Sequence, residues 1–368
     1  MKSAIVADWL TNLGGAERVI SSFHHILPSA PIYTSLYNPT EVALFGDAVV
    51  KSSCLQSLPK FLRRHQFFIK LMPHIFENIN LGEYDLVLSS SHACSKGVIT
   101  KPETLHVCYC HSPMRYVWDD WQEYIRQYGM GKIFSKMLMW NLHNLRLWDR
   151  LAADRVDIFV ANSQFVAKRI WKYYRRESTV IHPPVDIDRF SSKGAKEGNY
   201  FLAVGRLVPY KRFDLLVSAF NENGLKLKIC GNGPQYRKLK FQARSNIEFL
   251  GNVPEKELPK LNRDCRAFLF PQCEDFGIAP LEAMASGRPV VAYMAGGALE
   301  TVDPAVSGVF FDQQTVSSLN QALQKISKMK FDQKAIRHHA EKFSISRFEK
   351  EMTEFISSSV NNPSRKSK

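Results

Sequence analysis

Two glutamates, Glu274 and Glu282, stand eight positions apart in the run Glu-Asp-Phe-Gly-Ile-Ala-Pro-Leu-Glu. The Phe276-Gly277 pair between them reads as a turn, and Pro280 sits at the front of a helix-forming run, Leu-Glu-Ala-Met-Ala, which marks a helix start. Glu274 is then a loop carboxylate ahead of a helix end, and Glu282 lies in that helix's first turns. A helix N-terminus offers unpaired N–H groups and a positive dipole end to an anion. Ionised carboxylates only accept hydrogen bonds, which suits them to a polyhydroxyl group such as a sugar or a ribose. By spacing alone, the pair reads as readily as an ordinary loop carboxylate and a solvated helix glutamate.

Other segments supply complementary chemistry. Arg206 follows a strand through Gly205, with Lys211 five residues on. Arg presents a fork to two phosphate oxygens and Lys a compact charge, so the two suit a diphosphate and its departure. Gly14-Gly15 follows the first strand and opens the first helix, where absent side chains let backbone N–H groups approach a ligand. Gly231-Asn232-Gly233-Pro234 ends another strand with room for a flat ring. His111 stands at a strand end before Ser112-Pro113. Each of these, taken singly, is also an ordinary turn or a structural residue.

Five segments in register are more specific. Gly14-Gly15-Ala16-Glu17, Gly205-Arg206-Leu207 with Lys211, Gly231 to Pro234, the Glu274 to Glu282 run, and Gly296-Gly297 with Glu300 resemble the retaining glycosyltransferase family of the GT-B fold that carries an E-x7-E motif. The resemblance runs from Ala4 to about Phe355. Around Cys-His-Ser-Pro-Met-Arg-Tyr-Val-Trp-Asp, residues 110–119, it looks like a branch of bacterial O-antigen mannosyltransferases. The resemblance implies that Arg206 and Lys211 grip the donor diphosphate, that Glu274 holds donor-sugar hydroxyls, and that Glu282 holds the ribose. It makes His111 the histidine that contacts the donor sugar. Donor contacts are implied for Gly14, Gly15, Gly231, Val253, Phe276, Gly277 and Ile278, and for the Gly296-Gly297 loop. Arg115 and Trp118 become candidates for the acceptor side, although Trp118 reads equally well as core. No catalytic metal and no cofactor beyond the nucleotide diphosphate sugar are expected.

The elements that must position these residues follow from the pattern. The 368 residues suggest two domains of ordinary size. Apolar runs of strand length alternate with amphipathic helical stretches, the pattern of α/β parallel sheets wrapped by helices. In the first half, strands are predicted at 4–7, 84–89, 105–110, 158–161 and 179–182. In the second they fall at 200–204, 226–230, 247–250, 267–270 and 289–293. Helices are predicted at 16–26, 164–174, 213–220, 235–244 and 281–286. The proline-marked stretch Ile181 to Asp186 reads as a connection. The expected architecture is two Rossmann-like domains facing across a cleft: residues 1–183 on the acceptor side, 184–342 binding the nucleotide sugar, and 343–368 a returning helix with a polar tail, disordered from Ser357.

Composition narrows the class. The seven cysteines lack disulfide-framework spacing and read as reduced thiols; Cys108-Tyr109-Cys110-His111 lacks a second ligand pair for zinc. No apolar run approaches the ~20 residues that span a bilayer, and the N-terminus reads as a first strand rather than a leader, so a cytoplasmic protein is expected. The net charge of +14 points to an anionic partner. Ala48 to Phe76 holds no acid but holds Lys51, Lys60, Arg63, Arg64 and Lys70 among bulky apolar residues. Tyr124 to Trp148 repeats the pattern with Arg126, Lys132, Lys136 and Arg146. That mixture suits an interfacial helix on an anionic membrane surface, and equally a basic solvated helix packed on the core. No nucleic-acid module is found, so no nucleic acid is expected as a partner. The expectation is a hexosyltransferase, mannose from GDP-mannose first, acting on a lipid-linked saccharide for bacterial surface polysaccharide at the inner face of the cytoplasmic membrane. The alternatives are a nucleotide-sugar epimerase or hydrolase of the same fold and a non-enzymatic basic binding module.

Overall fold

The computed structural model describes residues 1–40, 42, 45–119, 132–192 and 198–361, of which 132–140 are described in backbone only. The chain divides into two compact units, Met1–Pro184 with Phe348–Lys368, and Val185–Arg347.

The first unit holds a seven-stranded sheet, with strands β1 (Ser3–Ala7), β2 (Ile32–Thr34), β3 (Val50–Ser52), β4 (Leu86–Ser91), β5 (Leu105–Cys110), β6 (Ile158–Ala161) and β7 (Ser178–Val180). Its order is β3-β2-β1-β4-β5-β6-β7, and every neighbouring pair is parallel. The central strands are buried on both faces: all residues of β1, β4 and β5 are buried, as expected when helices cover both sides of a parallel sheet. The helix Gln164–Tyr174 starts where the Ser163 hydroxyl accepts from the Val166 amide, satisfying one orphan donor. The helix Ile345–Val360 returns to this unit. Phe348, Met352 and Ile356, four residues apart on one face, enter the same core as Ile5, Phe23 and Leu88.

The second unit repeats the plan with six strands, β8 (Phe201–Val204), β9 (Leu227–Cys230), β10 (Ile247–Gly251), β11 (Ala267–Phe270), β12 (Val290–Tyr293) and β13 (Gly308–Phe311). Their order is β10-β9-β8-β11-β12-β13, again all parallel. Two apolar clusters, one built around Phe213, Phe220 and Leu323 and one around Phe190, Leu281 and Phe343, pack within it. In both sheets the order reverses beside the first strand, between β1 and β4 and between β8 and β11. Ligands of open α/β sheets bind beyond the carboxyl ends of the strands at such a reversal.

The α/β reading with two Rossmann-like parallel sheets holds, with corrections. Strands β2, β3 and β13, three or four residues long, went unpredicted. The stretch 48–76 is not the expected interfacial helix. It consists of β3, three short 3-10 turns (Cys54–Ser57, Lys60–Leu62, His65–Phe68) and the helix Met72–Glu77. Pro59 precedes one turn and Pro73 sits in the first turn of the helix, so no continuous helix can run through. Arg126 lies outside the described residues, while from Lys132 to Trp148 the second basic stretch lies in the helix Lys132–Asp154. The last helix continues through Val360, so helix replaces the disorder expected from Ser357; residues 362–368 lie outside the described residues. Among the described residues no helix is long and apolar enough to cross a membrane.

Candidate functional site

In the second unit the loops after β8 and β11 meet at the reversal point. Lys211 closes a short 3-10 turn, Pro209–Lys211, and its Nζ lies 2.8 Å from Glu274 Oε1. Both side chains are mostly covered, 17% and 20% exposed. The buried Gln272 places its amide nitrogen 3.3 Å from the same carboxylate oxygen. Arg206 is exposed in the loop after β8, and its guanidinium has no ion-pair partner among the described residues. Two residues singled out by type, Lys211 and Glu274, are therefore in contact, with an unengaged guanidinium on the same loop as Lys211.

Close backbone approach holds these loops. A Cβ on Gly297 would lie 2.3 Å from the Phe276 backbone, and one on Gly296 would lie 2.4 Å from the Glu274 carbonyl oxygen; the Gly297 amide donates to that carbonyl at 2.9 Å. These two glycines thus seat the acidic loop, and the Gly297 amide is engaged there. Gly277, at φ +94°, precedes the helix Ile278–Ala285, so the helix begins three residues ahead of its predicted start. Phe276 is buried with its ring against Phe343, and Ile278 and Val253 pack half-buried on the same core. Gly231 follows β9 and donates to the Gly251 carbonyl at 2.7 Å. Glu282, in the second turn, faces Arg189 Nη2 at 3.5 Å, and Arg189 Nη1 reaches Glu255 at 2.9 Å. Asp186-Ile187-Asp188 has D-x-D spacing and sits at the start of this unit, where Asp186 accepts from the Arg189 amide at 3.3 Å. Among the described residues no three potential ligands gather around a metal position.

The first unit builds its own cluster at the β1/β4 reversal. The buried Asp8 carboxylate, just after β1, accepts the backbone N–H groups of His92, Ala93, Cys94 and Ser95 at 2.6–2.9 Å. Four N–H donors on one carboxylate hold the loop after β4 rigidly. His92 Nδ1 lies 3.2 Å from the same carboxylate. Trp9 stacks on His65 at 4.0 Å between centroids and meets the His92 ring edge-on at 4.6 Å. His111 sits 6.3 Å from His92, between centroids, with Nε2 2.8 Å from the Ser90 hydroxyl. Burial, helped by the nearby His92, pushes His111 down to about 3. It is therefore neutral near pH 7, able to hydrogen-bond a hydroxyl but not to supply a positive charge. Gly14 caps the helix Gly15–Ile26, and a Cβ there would meet the Glu17 carboxylate at 3.0 Å. Burial raises the Glu17 carboxyl.

Trp118 is anchored rather than presented. Its indole N–H donates to Asp149 at 2.7 Å and its ring stacks on Tyr173. The wholly buried Asp149 also accepts from Tyr174 at 2.7 Å and pairs with buried Lys96. Arg115 begins the same short helix, half-buried. Burial pushes the Cys108 thiol up to about 12 and raises the Cys110 thiol as well, so in the sheet both stay protonated near pH 7. Sequence reading passed over Asp8, Trp9, His65 and His92. One signal was available: Asp8 stands at the carboxyl end of the first strand, where such sites form.

Comparisons with known proteins follow the same division. Residues 184–343 match the family described as Glycosyl transferases group 1, and residues 13–189 match Glycosyltransferase Family 4. An uncharacterised glycosyltransferase of Methanocaldococcus jannaschii is 25% identical over 204 residues, 54% of this chain and 58% of that protein. The GDP-mannose-dependent alpha-(1-6)-phosphatidylinositol monomannoside mannosyltransferase of Mycobacterium tuberculosis is 28% identical over 208 residues, 48% of this chain and 54% of its own length. The human alpha-1,3/1,6-mannosyltransferase ALG2 is 27% identical over 210 residues, 46% of this chain and 49% of its own. The match thus spans about half the length of these curated relatives. Among solved structures, Anabaena HepE, crystallised with UDP and glucose, superposes with TM-score 0.70 over 97% of this chain and 100% of that one at 18% identity. Sucrose-phosphate synthase from Thermosynechococcus elongatus reaches 0.69 over 97% of this chain and 98% of its own at 15% identity, which shows a shared fold. The two family matches together run from residue 13 to 343, and with the two parallel-sheet units they make this chain a member of the group 1 glycosyltransferases of the GT-B fold.

Proposed function

We propose that the chain is a retaining hexosyltransferase that moves mannose from GDP-mannose to a lipid-linked saccharide in surface-polysaccharide synthesis. The observation that carries this reading is the Lys211–Glu274 contact, 2.8 Å, beside exposed Arg206 at the β8/β11 reversal. It joins a phosphate-seeking cation to a hydroxyl-seeking carboxylate where a nucleotide sugar would place its diphosphate next to its sugar. In this reading Arg206 and Lys211 take the charge that develops as the anomeric C–O bond to phosphate breaks. The acceptor oxygen bonds to the anomeric carbon on the same face, and its proton passes to the departing phosphate. Glu274 accepts from sugar hydroxyls, Glu282 from the ribose, and neutral His111 orients a sugar hydroxyl. No metal is required. The mannosyltransferase names of two relatives and the run at residues 110–119 support the choice of donor.

Membrane attachment belongs to the same reading. Phe61, Phe67 and Leu71 are 72%, 62% and 53% exposed, interleaved with the exposed cations Lys60, Arg64 and Lys70. Apolar and basic side chains presented together suit the surface of an anionic leaflet.

Calorimetric titration with GDP, UDP and ADP, followed by turnover of the matching sugars, tests the function. Saturable binding of GDP and mannose transfer only when an acceptor is present are expected. Consumption of the donor without an acceptor would identify a hydrolase or epimerase instead. Failure to bind any nucleoside diphosphate would remove the enzymatic reading altogether.

A further inference from the structure

The first unit contains a pocket of about 320 Å³ between the segment after β3 and the helix Lys132–Asp154. Its walls are mostly apolar, built from Ile69, Pro73, Leu142, Leu145 and Trp148 with Tyr116, Asn141 and Asn144 beside them, and Lys70 stands at its edge. Glu77 takes the Trp148 indole N–H at 2.7 Å and is already paired with Arg155 at 2.8 Å. Lys70 is exposed and meets no carboxylate among the described residues. The segments that form the walls also carry Leu71, Leu147 and Leu151, each more than half exposed.

We propose that this pocket receives the phosphate end of the acceptor's lipid, an alkyl or isoprenyl phosphate, with the phosphate at Lys70 and the first carbons against the apolar walls. The inference rests on the lipid-linked acceptor of the reading above and names where its lipid is held. Apolar walls with a cation at the edge match an apolar chain that ends in an anion. The volume sets how much lipid enters: at about 30 Å³ for a water-sized group, there is room for about ten such groups. The remainder of a long chain must leave across the exposed leucines toward the bilayer, which places pocket and membrane-facing residues on one route.

The test is photolabelling of the full chain, without vesicles, by dodecyl phosphate bearing a diazirine near the phosphate. Label is expected on the peptides containing 69–73 and 142–148, displaced by unlabelled dodecyl phosphate but not by inorganic phosphate or dodecanol at equal concentration. Lys70→Glu, a change at an exposed position, should cut labelling at least about fivefold, since an attraction becomes a repulsion. Leu145→Phe should cut it by filling the pocket, with thermal melting as the check on folding. Label scattered over other peptides, equal displacement by dodecanol or by phosphate, or undiminished labelling of Lys70→Glu would each overturn the proposal. GDP binding measured on the same samples separates the two inferences. Binding with scattered label removes only the pocket, whereas pocket labelling without nucleotide binding removes the transferase reading.

Discussion

The contact between Lys211 and Glu274 predicts how their losses combine. At 2.8 Å and an effective dielectric constant near 20, the gross attraction is about 6 kcal/mol, and desolvation and partial exposure cancel much of it. Couplings measured for residues in contact run about 0.5–3 kcal/mol. Lys211→Met and Glu274→Gln each remove one charge while keeping much of the side-chain volume. Each should lower kcat at least about 100-fold, the usual loss when a group facing developing charge is deleted. Independent effects would multiply to about 10,000-fold in the double variant. A coupling of about 1.5 kcal/mol, near the middle of that range, returns roughly a factor of ten, so the double variant should lose about 1,000-fold. Transfer of radiolabelled mannose from GDP-mannose under saturating acceptor gives the four rates, and thermal melting checks that each variant folds. Multiplicative losses within about twofold would refute the idea that the two side chains act as a unit. Near-normal turnover in both single variants would remove them from the site.

Three further outcomes are expected. Glu274→Ala should leave GDP binding by calorimetry within about threefold while turnover collapses, and Glu282→Ala should weaken GDP itself by roughly tenfold, about one lost charged hydrogen bond to the ribose; the opposite pattern would exchange their roles. Vesicles containing anionic lipid should retain the protein at low salt and release much of it at high salt, as surface charges are screened, and serine at Lys60, Arg64 and Lys70 should abolish most retention; equal retention on neutral vesicles would argue for a plain solvated surface. His106 and His111 are both held near 3 by burial against an ordinary 6.5; a His with a depressed folded pKa takes up its proton more readily when unfolded, so stability should fall as pH drops from about 6.5 toward 3, by at most about 1.4 kcal/mol per pH unit for each. Replacing His106 with Asn should flatten that slope in a melting series, and an unchanged slope would count against its neutral burial.

Legibility in the sequence varied with element length and with the range of the contacts. Strands β5, β6 and β11 and the helix Gln164–Tyr174 match their predicted bounds, because each is a compact apolar or amphipathic run with a clear edge. Three residues carry no measurable period, so β2 and β3 escaped and β7, equally short, was predicted with its start one residue late. The basic stretch at 48–76 misled because its mixture of cations and bulky apolar residues imitates an amphipathic helix, while Pro59 and Pro73 impose short turns. At the site, the motifs supplied residue types and their places after strands. Contact between Lys211 and Glu274 depends on β8 and β11 being neighbours in the sheet, which no local pattern reveals. Asp8 is the sharpest omission. Its four amide partners lie 84 to 87 residues away, so from its own surroundings it looks like any solvated carboxylate.

The return of the last helix has a consequence for synthesis on the ribosome. Domains generally fold in order of emergence, yet Phe348, Met352 and Ile356 belong to the core of the unit that emerges first. Residues 185–347 can close around their own sheet while that earlier unit still shows water the apolar surface around Phe23, which the Phe348 ring covers with centroids 6.0 Å apart. The later unit is thus the first that can be completed, and the earlier one waits for the final stretch of chain. A nascent chain halted before residue 348 would expose a sticky, chaperone-binding face on a nearly finished fold. A fragment cut at Pro184 would carry the same defect permanently, so supplying residues 345–360 as a separate peptide should rescue its stability.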